Sequence, residues 1–278
     1  MARKYKEWLP QKVLTLLFSI LIMIIAFISL FGFLSFRNLD ETEAKKVAIN
    51  FLEDKYGTKD FLVLDFVTDK SWLSDSIWVS PLDEPDVIFS VNNLNFQWRI
   101  TDDYASVLIA HFITEEMDDV FNNLNTEHKT NFYVNFVGDN SNVLPERGST
   151  RKFLDEKDAG SISGEVIISG GLASNGEIAS GICEAFKIAG EKYGIRVSAT
   201  IYLFEQESYH KYESKLKKFD ASADSYDGSF NTDNISRLDV ISIFYLDNMN
   251  GNLSHDTKVV KHMIESNYID EKIGSQLF

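Results

Sequence analysis

Five histidines, one cysteine and forty-two acidic residues are the side chains from which this 278-residue chain could build a reactive centre. The histidines are His111, His128, His210, His255 and His262. A zinc site needs imidazole or thiolate ligands converging on one point. His255 and His262 are seven residues apart, about 10 Å along a helix, too far to share one ion directly. No other pair has ligand spacing on one helix face, and His111, beside an apolar stripe, reads as structural. Cys183 lies among small and apolar residues in a helical segment and has no histidine near it in sequence to activate a thiolate. It reads as buried filler, and a single cysteine excludes an intramolecular disulfide.

Acidic clusters occur at Asp83–Asp86, Asp102-Asp103, Glu115–Asp119, and at Asp220, Asp224 and Asp227 ahead of Gly228. Calcium requires several oxygens from alternating loop positions. The last cluster lacks that spacing, and in Asp247-Asn248-Met249-Asn250-Gly251 a methionine takes the third position. Both read as solvated loops. Paired carboxylates could hydrolyse a glycosidic bond, but so acidic a chain offers many pairs and its sequence nominates none. The Gly170-Gly171 turn precedes a helix N-terminus whose free amides could hold an anion, although Glu177 in the first turn competes for them. No G-x-S-x-G, H-E-x-x-H, Walker loop or paired C-x-x-C occurs. The sequence therefore names no catalytic residue, no cofactor and no metal site, and the expectation leans away from an enzyme. Asn234-Ile235-Ser236 and Asn252-Leu253-Ser254 are formal glycosylation sequons, relevant only in a eukaryotic host.

The elements that would carry any site begin with an anchor. Val13 to Phe36 contains no charged residue. Its 24 residues span about 36 Å as a helix, against a hydrocarbon core of about 30 Å. The run is longer than a signal-peptide core and ends without an A-x-A pattern, which favours an uncleaved anchor. Arg3, Lys4, Lys6 and Lys12 precede it against one acid, Glu7, while Asp40, Glu41 and Glu43 follow. Basic flanks stay inside. The expected topology is a cytoplasmic tail over 1–12, a transmembrane helix over 13–36 and an extracytoplasmic remainder, with Tyr5 and Trp8 at the interface. The net charge is −15. The tail carries +3, so the remainder carries −18, a field that repels phosphate backbones and excludes nucleic acid as a natural partner.

Beyond the anchor the expected class is α+β. A helix opens at an Asp40/Glu43 capping box, with Val47, Phe51, Leu52 and Tyr56 as its apolar stripe and Gly57 as its stop. Strands follow at 61–68 and 76–80. Val87 to Ile100 reads as a hairpin about Asn92-Asn93, pairing Val91 with Leu94, Phe89 with Phe96 and Val87 with Trp98 on one face. A helix over 103–124, capped by Asp102, and a strand over 131–137 complete a first module, 40–137, of helices packed on an antiparallel sheet. Residues 138–162, with Pro145 and Gly148, read as a linker. A second, smaller module, 163–270, starts with a strand at 165–169. A helix from 176 to 193 follows, with a Ser174/Glu177 box and Gly194 as its stop. Then come a strand at 195–204, a helix at 207–219, a loop at 221–234, a strand at 238–246 and a helix at 256–266. Its strand–helix–strand portion, 165–204, is where a parallel pair is expected. Lys55-Tyr56-Gly57 and Lys192-Tyr193-Gly194 end two helices alike and hint at duplication.

The segment Ala44–Leu64, AKKVAINFLEDKYGTKDFLVL, resembles small membrane-anchored or secreted proteins of low-GC Gram-positive bacteria with cystatin-like or NTF2-like domains. The resemblance implies a fold and a compartment and carries no catalytic residue. The function expected from anchor and composition is a non-catalytic extracytoplasmic binding or scaffold protein of the cell envelope. Its partner would be an envelope protein, a peptide or a wall polymer. The alternatives are an anchored hydrolase using acidic residues and a component of secretion or conjugation machinery.

Overall fold

The structure is a computed structural model and describes residues 16–27, 39–57, 60–69, 74–96, 100–124, 126–136, 144–171, 173–213, 240–249 and 252–270. It is mixed α+β and divides into two compact units, residues 1–79 with 91–101, and residues 80–90 with 102–278.

The first unit begins with α1, residues 16–27, a helix whose every residue is exposed. The rest of the expected 13–36 span lies outside the described residues, among which no helix is long and apolar enough to cross a membrane. Helix α2, Glu41–Tyr56, starts where Asp40 accepts from the Glu43 amide at 2.8 Å and stops at Gly57, whose φ of 80° a side chain would resist. Its buried face is Ala44, Ala48 and Leu52; of the expected stripe Leu52 is buried, and Val47, Phe51 and Tyr56 are half-buried. Strands β1 (Phe61–Asp69), β2 (Ser74–Pro81), β3 (Phe89–Asn92) and β4 (Thr101–Asp102) follow in that order in a four-stranded sheet. The division into units falls within β2, β3 and β4.

The expected hairpin differs in register. Asn93 does take positive φ, 59°. The chain then turns through Leu94 and Asn95, held by an Asn95 Oδ1 that accepts from the Asp75 amide at 2.9 Å, and β3 pairs with Thr101–Asp102 instead. Polar turn bonds outweighed the alternation of apolar residues there. Residues 97–99 lie outside the described residues.

The second unit is the larger and carries a five-stranded sheet of order β5-β6-β7-β8-β9. Its strands are β5 (His128–Phe136), β6 (Ala159–Gly170), β7 (Arg196–Glu205), β8 (Val240–Met249) and β9 (Asn252–Leu253). β6 and β7 are parallel, as the 165–204 pattern anticipates, and every other neighbouring pair is antiparallel. Helix α5, Asn175–Tyr193, makes the crossover, opened by the complete Ser174/Glu177 capping box and closed by Gly194 at φ 70°. With α3 (Tyr104–Phe121), α4 (Thr150–Glu156) and α7 (Thr257–Glu265) it covers one sheet face. Ile113, Met117, Ile182, Phe186 and Val260 there meet Ile162, Val166, Val197, Ile201 and Phe244.

The boundary at 138–162 is therefore displaced. α3 and β5 belong with this second sheet, because β5 pairs along its whole length with β6. Part of the expected linker is α4 and the start of β6. Residues 159–162, expected as linker, occupy a strand.

Candidate functional site

Strands alternate their side chains between faces, and here the two faces differ in kind. On the helix-covered face the positions are mostly apolar, with Asn248 bonded to the Phe186 carbonyl and Thr130 to Thr114 and Asp118 as polar exceptions. On the other, the register places Tyr133, Ser163, Ser198 and Asp247 in one row across four strands, and Asn131, Glu165, Thr200 and Tyr245 in the next. Asn135, Ser161 and Arg196 form the row beyond the first. In the opposite direction the face turns apolar: Ile167, Tyr202, Phe204, Val240 and Ile243 cluster with Tyr209 of helix α6, Gln206–Glu213, and with Ile269. Half of this face is thus roofed and the other half is polar.

The polar half is cross-linked from within. Asn135 Nδ2 donates to Ser161 Oγ at 3.1 Å and to Ser163 Oγ at 3.0 Å. Ser163 and Ser198 hydroxyls lie 3.3 Å apart, and Ser198 Oγ donates to the Ile162 carbonyl at 3.4 Å. Tyr202 OH donates to Glu165 at 3.3 Å. Burial, followed by the neighbouring Glu165 charge, pushes that phenol well above its usual range, so it stays a donor. Arg196 Nε and Nη2 donate to Asp247 Oδ2 at 3.0 and 2.5 Å. Tyr133 and Tyr245 stand at its borders on β5 and β8, 42% and 39% exposed.

Chemically this is a surface of hydroxyls and amides between two phenol rings. Its two carboxylates, Glu165 and Asp247, are each held by a neighbour and sit on strands two positions apart. Their Cα atoms are therefore about 12 Å apart across the sheet, a poor start for an acid/base pair on one bond.

The residues singled out by sequence fall elsewhere. Cys183 is buried, its thiol pushed up by burial, with Thr257 as hydrogen-bond partner. His111 Nε2 lies 3.4 Å from Glu115. It shares a cleft of about 360 Å³ between α3 and β5 with Asp103, whose carboxyl burial raises against hydrogen bonds from Ser90. His128 sits between the Thr126 and Asp118 carbonyls, and His210 lies 3.5 Å from Glu127. No group of three or more metal-ligating side chains occurs among the described residues. His255 and His262 flank and enter α7 without a shared partner in view.

At the Gly170-Gly171 turn, Glu177 accepts from the Ser174 amide and hydroxyl at 2.8 and 2.7 Å, filling the place an anion would take. The clusters at 220–227 and Met249-Asn250-Gly251 lie partly or wholly outside the described residues. Glu116, one of the Glu115–Asp119 acids, is structural: it accepts from Thr150 Oγ1 at 2.6 Å, Lys192 Nζ at 2.8 Å and Tyr193 OH at 3.0 Å. The polar face was missed because serine alternation in 159–164 carries no hydrophobic period to detect.

No protein-family model matches the chain, and no curated protein matches it. Among solved structures it is similar to a crystal structure of a DUF5037 family protein from Ruminococcus gnavus, at 14% identity and a TM-score of 0.52. The match covers 80% of this chain and 98% of that one. At that identity the likeness concerns the fold alone, and none of the three comparisons supports a membrane-anchored Gram-positive family or a cystatin-like or NTF2-like assignment for residues 44–64.

Proposed function

We propose that the protein is a membrane-anchored, non-catalytic binding protein of the cell envelope, held by its N-terminal helix and presenting the polar half of the five-stranded sheet to an extracytoplasmic ligand. The observation that carries the reading is α1. Leu16, Leu17, Phe18, Ile20, Leu21, Ile22, Met23, Ile24, Ile25 and Phe27 are each 41–69% exposed, so apolar side chains surround the helix. A helix apolar on all sides needs a non-aqueous environment, and the uncharged sequence continues on either side of it to span a bilayer. The basic flank before it and the acidic chain after it favour an outside location for the sheets.

Binding rather than catalysis is favoured by how the polar face spends its groups: its acids are held by Tyr202 and Arg196, and its hydroxyls bond one another. Fractionation with and without carbonate extraction tests the anchor, and protease added to intact cells tests the orientation. The reading requires a carbonate-resistant chain whose acidic bulk is digested from outside. A chain released by carbonate, or one shielded in intact cells and cut after permeabilisation, overturns it.

A further inference from the structure

We propose that the cleft between α3 and β5 binds an extended peptide carrying a lysine or arginine, which adds as a short strand beyond β5. This site is separate from the polar half-face and stands whether or not that face binds a ligand.

Three observations carry the assignment. The first is an open sheet edge. β5 is an outermost strand, and its residues alternate between bonding β6 and turning their amides and carbonyls away from it. At Phe132 the outward groups are met by α3: Thr114 Oγ1 accepts from the Phe132 amide at 2.9 Å and donates to its carbonyl at 3.4 Å, where a neighbouring strand would otherwise pair. Two residues on, Val134 lies opposite Ile162, and its amide and carbonyl point the same way without a hydrogen-bond partner among the described residues. One residue of an added strand can exchange two bonds with them. Second, this edge borders a cavity. About 360 Å³ lies beside Val134, walled by Val87, Val107 and Ala110, a volume within the roughly 300–1,000 Å³ of ligand sites. Third, the charge on its walls has one sign. Asp86 and Asp103 line it, and among the described residues no lysine or arginine does. Asp103 is fixed by the Ser90 amide at 2.7 Å and hydroxyl at 3.2 Å, which leaves lone pairs for a further donor. Asp86 is exposed and has no partner among the described residues. A lysine or arginine answers both features, with an apolar stem for the valine walls and a cationic head for the acids. A small amine would answer the acids and leave Val134 unpaired.

The test is affinity selection by the full chain in nanodiscs from two pools of acetylated, amidated hexapeptides. Both pools carry valine, threonine and alanine at every position but the third, which is lysine in one and glutamate in the other; n-butylamine serves as the free amine. The lysine pool should be retained and the glutamate pool should not, and added salt should weaken the retention. With the best-retained peptide bound, hydrogen exchange over the segment holding Val134 should slow about tenfold, and N-methylation of alternate peptide amides should abolish binding. Asp103→Asn and Asp86→Asn should each weaken binding about tenfold. Asp86 is at the surface, so its variant keeps the melting temperature and the test survives if Asp103→Asn unfolds the chain. Failure of the lysine pool, equal retention of the glutamate pool, or indifference to N-methylation overturns the proposal. Butylamine binding as tightly as the best peptide makes the cleft an amine site and overturns strand addition.

Discussion

Gly164 is the position at which one added methyl group should be most disruptive. It lies mid-strand in β6 opposite Phe132 of β5. Thr114 Oγ1 accepts from the Phe132 amide at 2.9 Å, on the side away from β6, so Phe132 and Gly164 are a non-hydrogen-bonded pair, in which antiparallel Cα atoms approach most closely. The Phe132 ring fills the space a side chain would need. A Cβ on Gly164 would stand 2.5 Å from Phe132 Cδ1 and 2.8 Å from Cγ, and would also strike the Asn131 carbonyl. The ring is 1% exposed and packed in the main core, so it has nowhere to swing, and the carbonyl belongs to a paired strand. Overpacking of a tight core costs about 1–3 kcal/mol. With main chain also in the way, Gly164→Ala should fall at the upper end, about 3 kcal/mol. For a unit of this size that is a drop of roughly 6–12 °C in melting temperature. Urea unfolding followed by far-UV circular dichroism gives the number. Phe132→Leu in the same chain should recover part of the loss, a coupling that a double-mutant cycle isolates. A loss below about 0.5 kcal/mol, or strict additivity of the two changes, would refute the packing argument.

Three further outcomes follow from groups with displaced protonation. Burial raises the Asp103 carboxyl, outweighing the hydrogen bonds from Ser90 that lower it. A carboxyl raised on folding stabilises below its unfolded pKa and loses that contribution as pH rises through its folded pKa. Asp103→Asn should therefore narrow the stability gap to wild type as pH rises from 4 to 7; a widening gap in urea melts contradicts this. Glu116 has the opposite sign: burial opposes its charge, but Lys192, Thr150 and Tyr193 together hold its pKa below the usual range. Its stabilisation is present above the unfolded pKa and lost as pH falls through the folded one. Glu116→Gln should lower stability by about 2 kcal/mol at pH 7 and progressively less under acid, and a pH-independent difference would exclude the charge as its cause. Cys183, buried with its thiol raised, should resist maleimide in native buffer and react in urea; native labelling at the rate of a free thiol would place it wrongly.

The sequence was most legible where a local bond closes a helix. The Ser174/Glu177 box, the bond from the Glu43 amide to Asp40, and the stops at Gly57 and Gly194 need only residues three or four apart, and all form. The parallel pairing of β6 with β7 was legible too, because a strand, a helix and a strand without an intervening hairpin permit little else. What escaped was pairing across distance. The partner of β5 lies beyond a helix and a polar stretch, and Ser161 looks like linker until a strand on each side gives it a face. The same blindness hid the candidate site, whose members are spread from Asn131 to Asp247 and become neighbours through register alone. In the first unit, Leu94 and Asn95 look like strand because alternation is visible in sequence, whereas the Asn95 bond to the Asp75 amide, twenty residues away, is not.

The chain's single buried cysteine makes the central claim directly measurable. Tyr133→Cys creates one exposed thiol on the polar face against a silent background. In intact cells a membrane-impermeant maleimide should label it, and wild type should stay unlabelled. Labelling confined to permeabilised cells would put the face on the wrong side of the membrane and contradict the account.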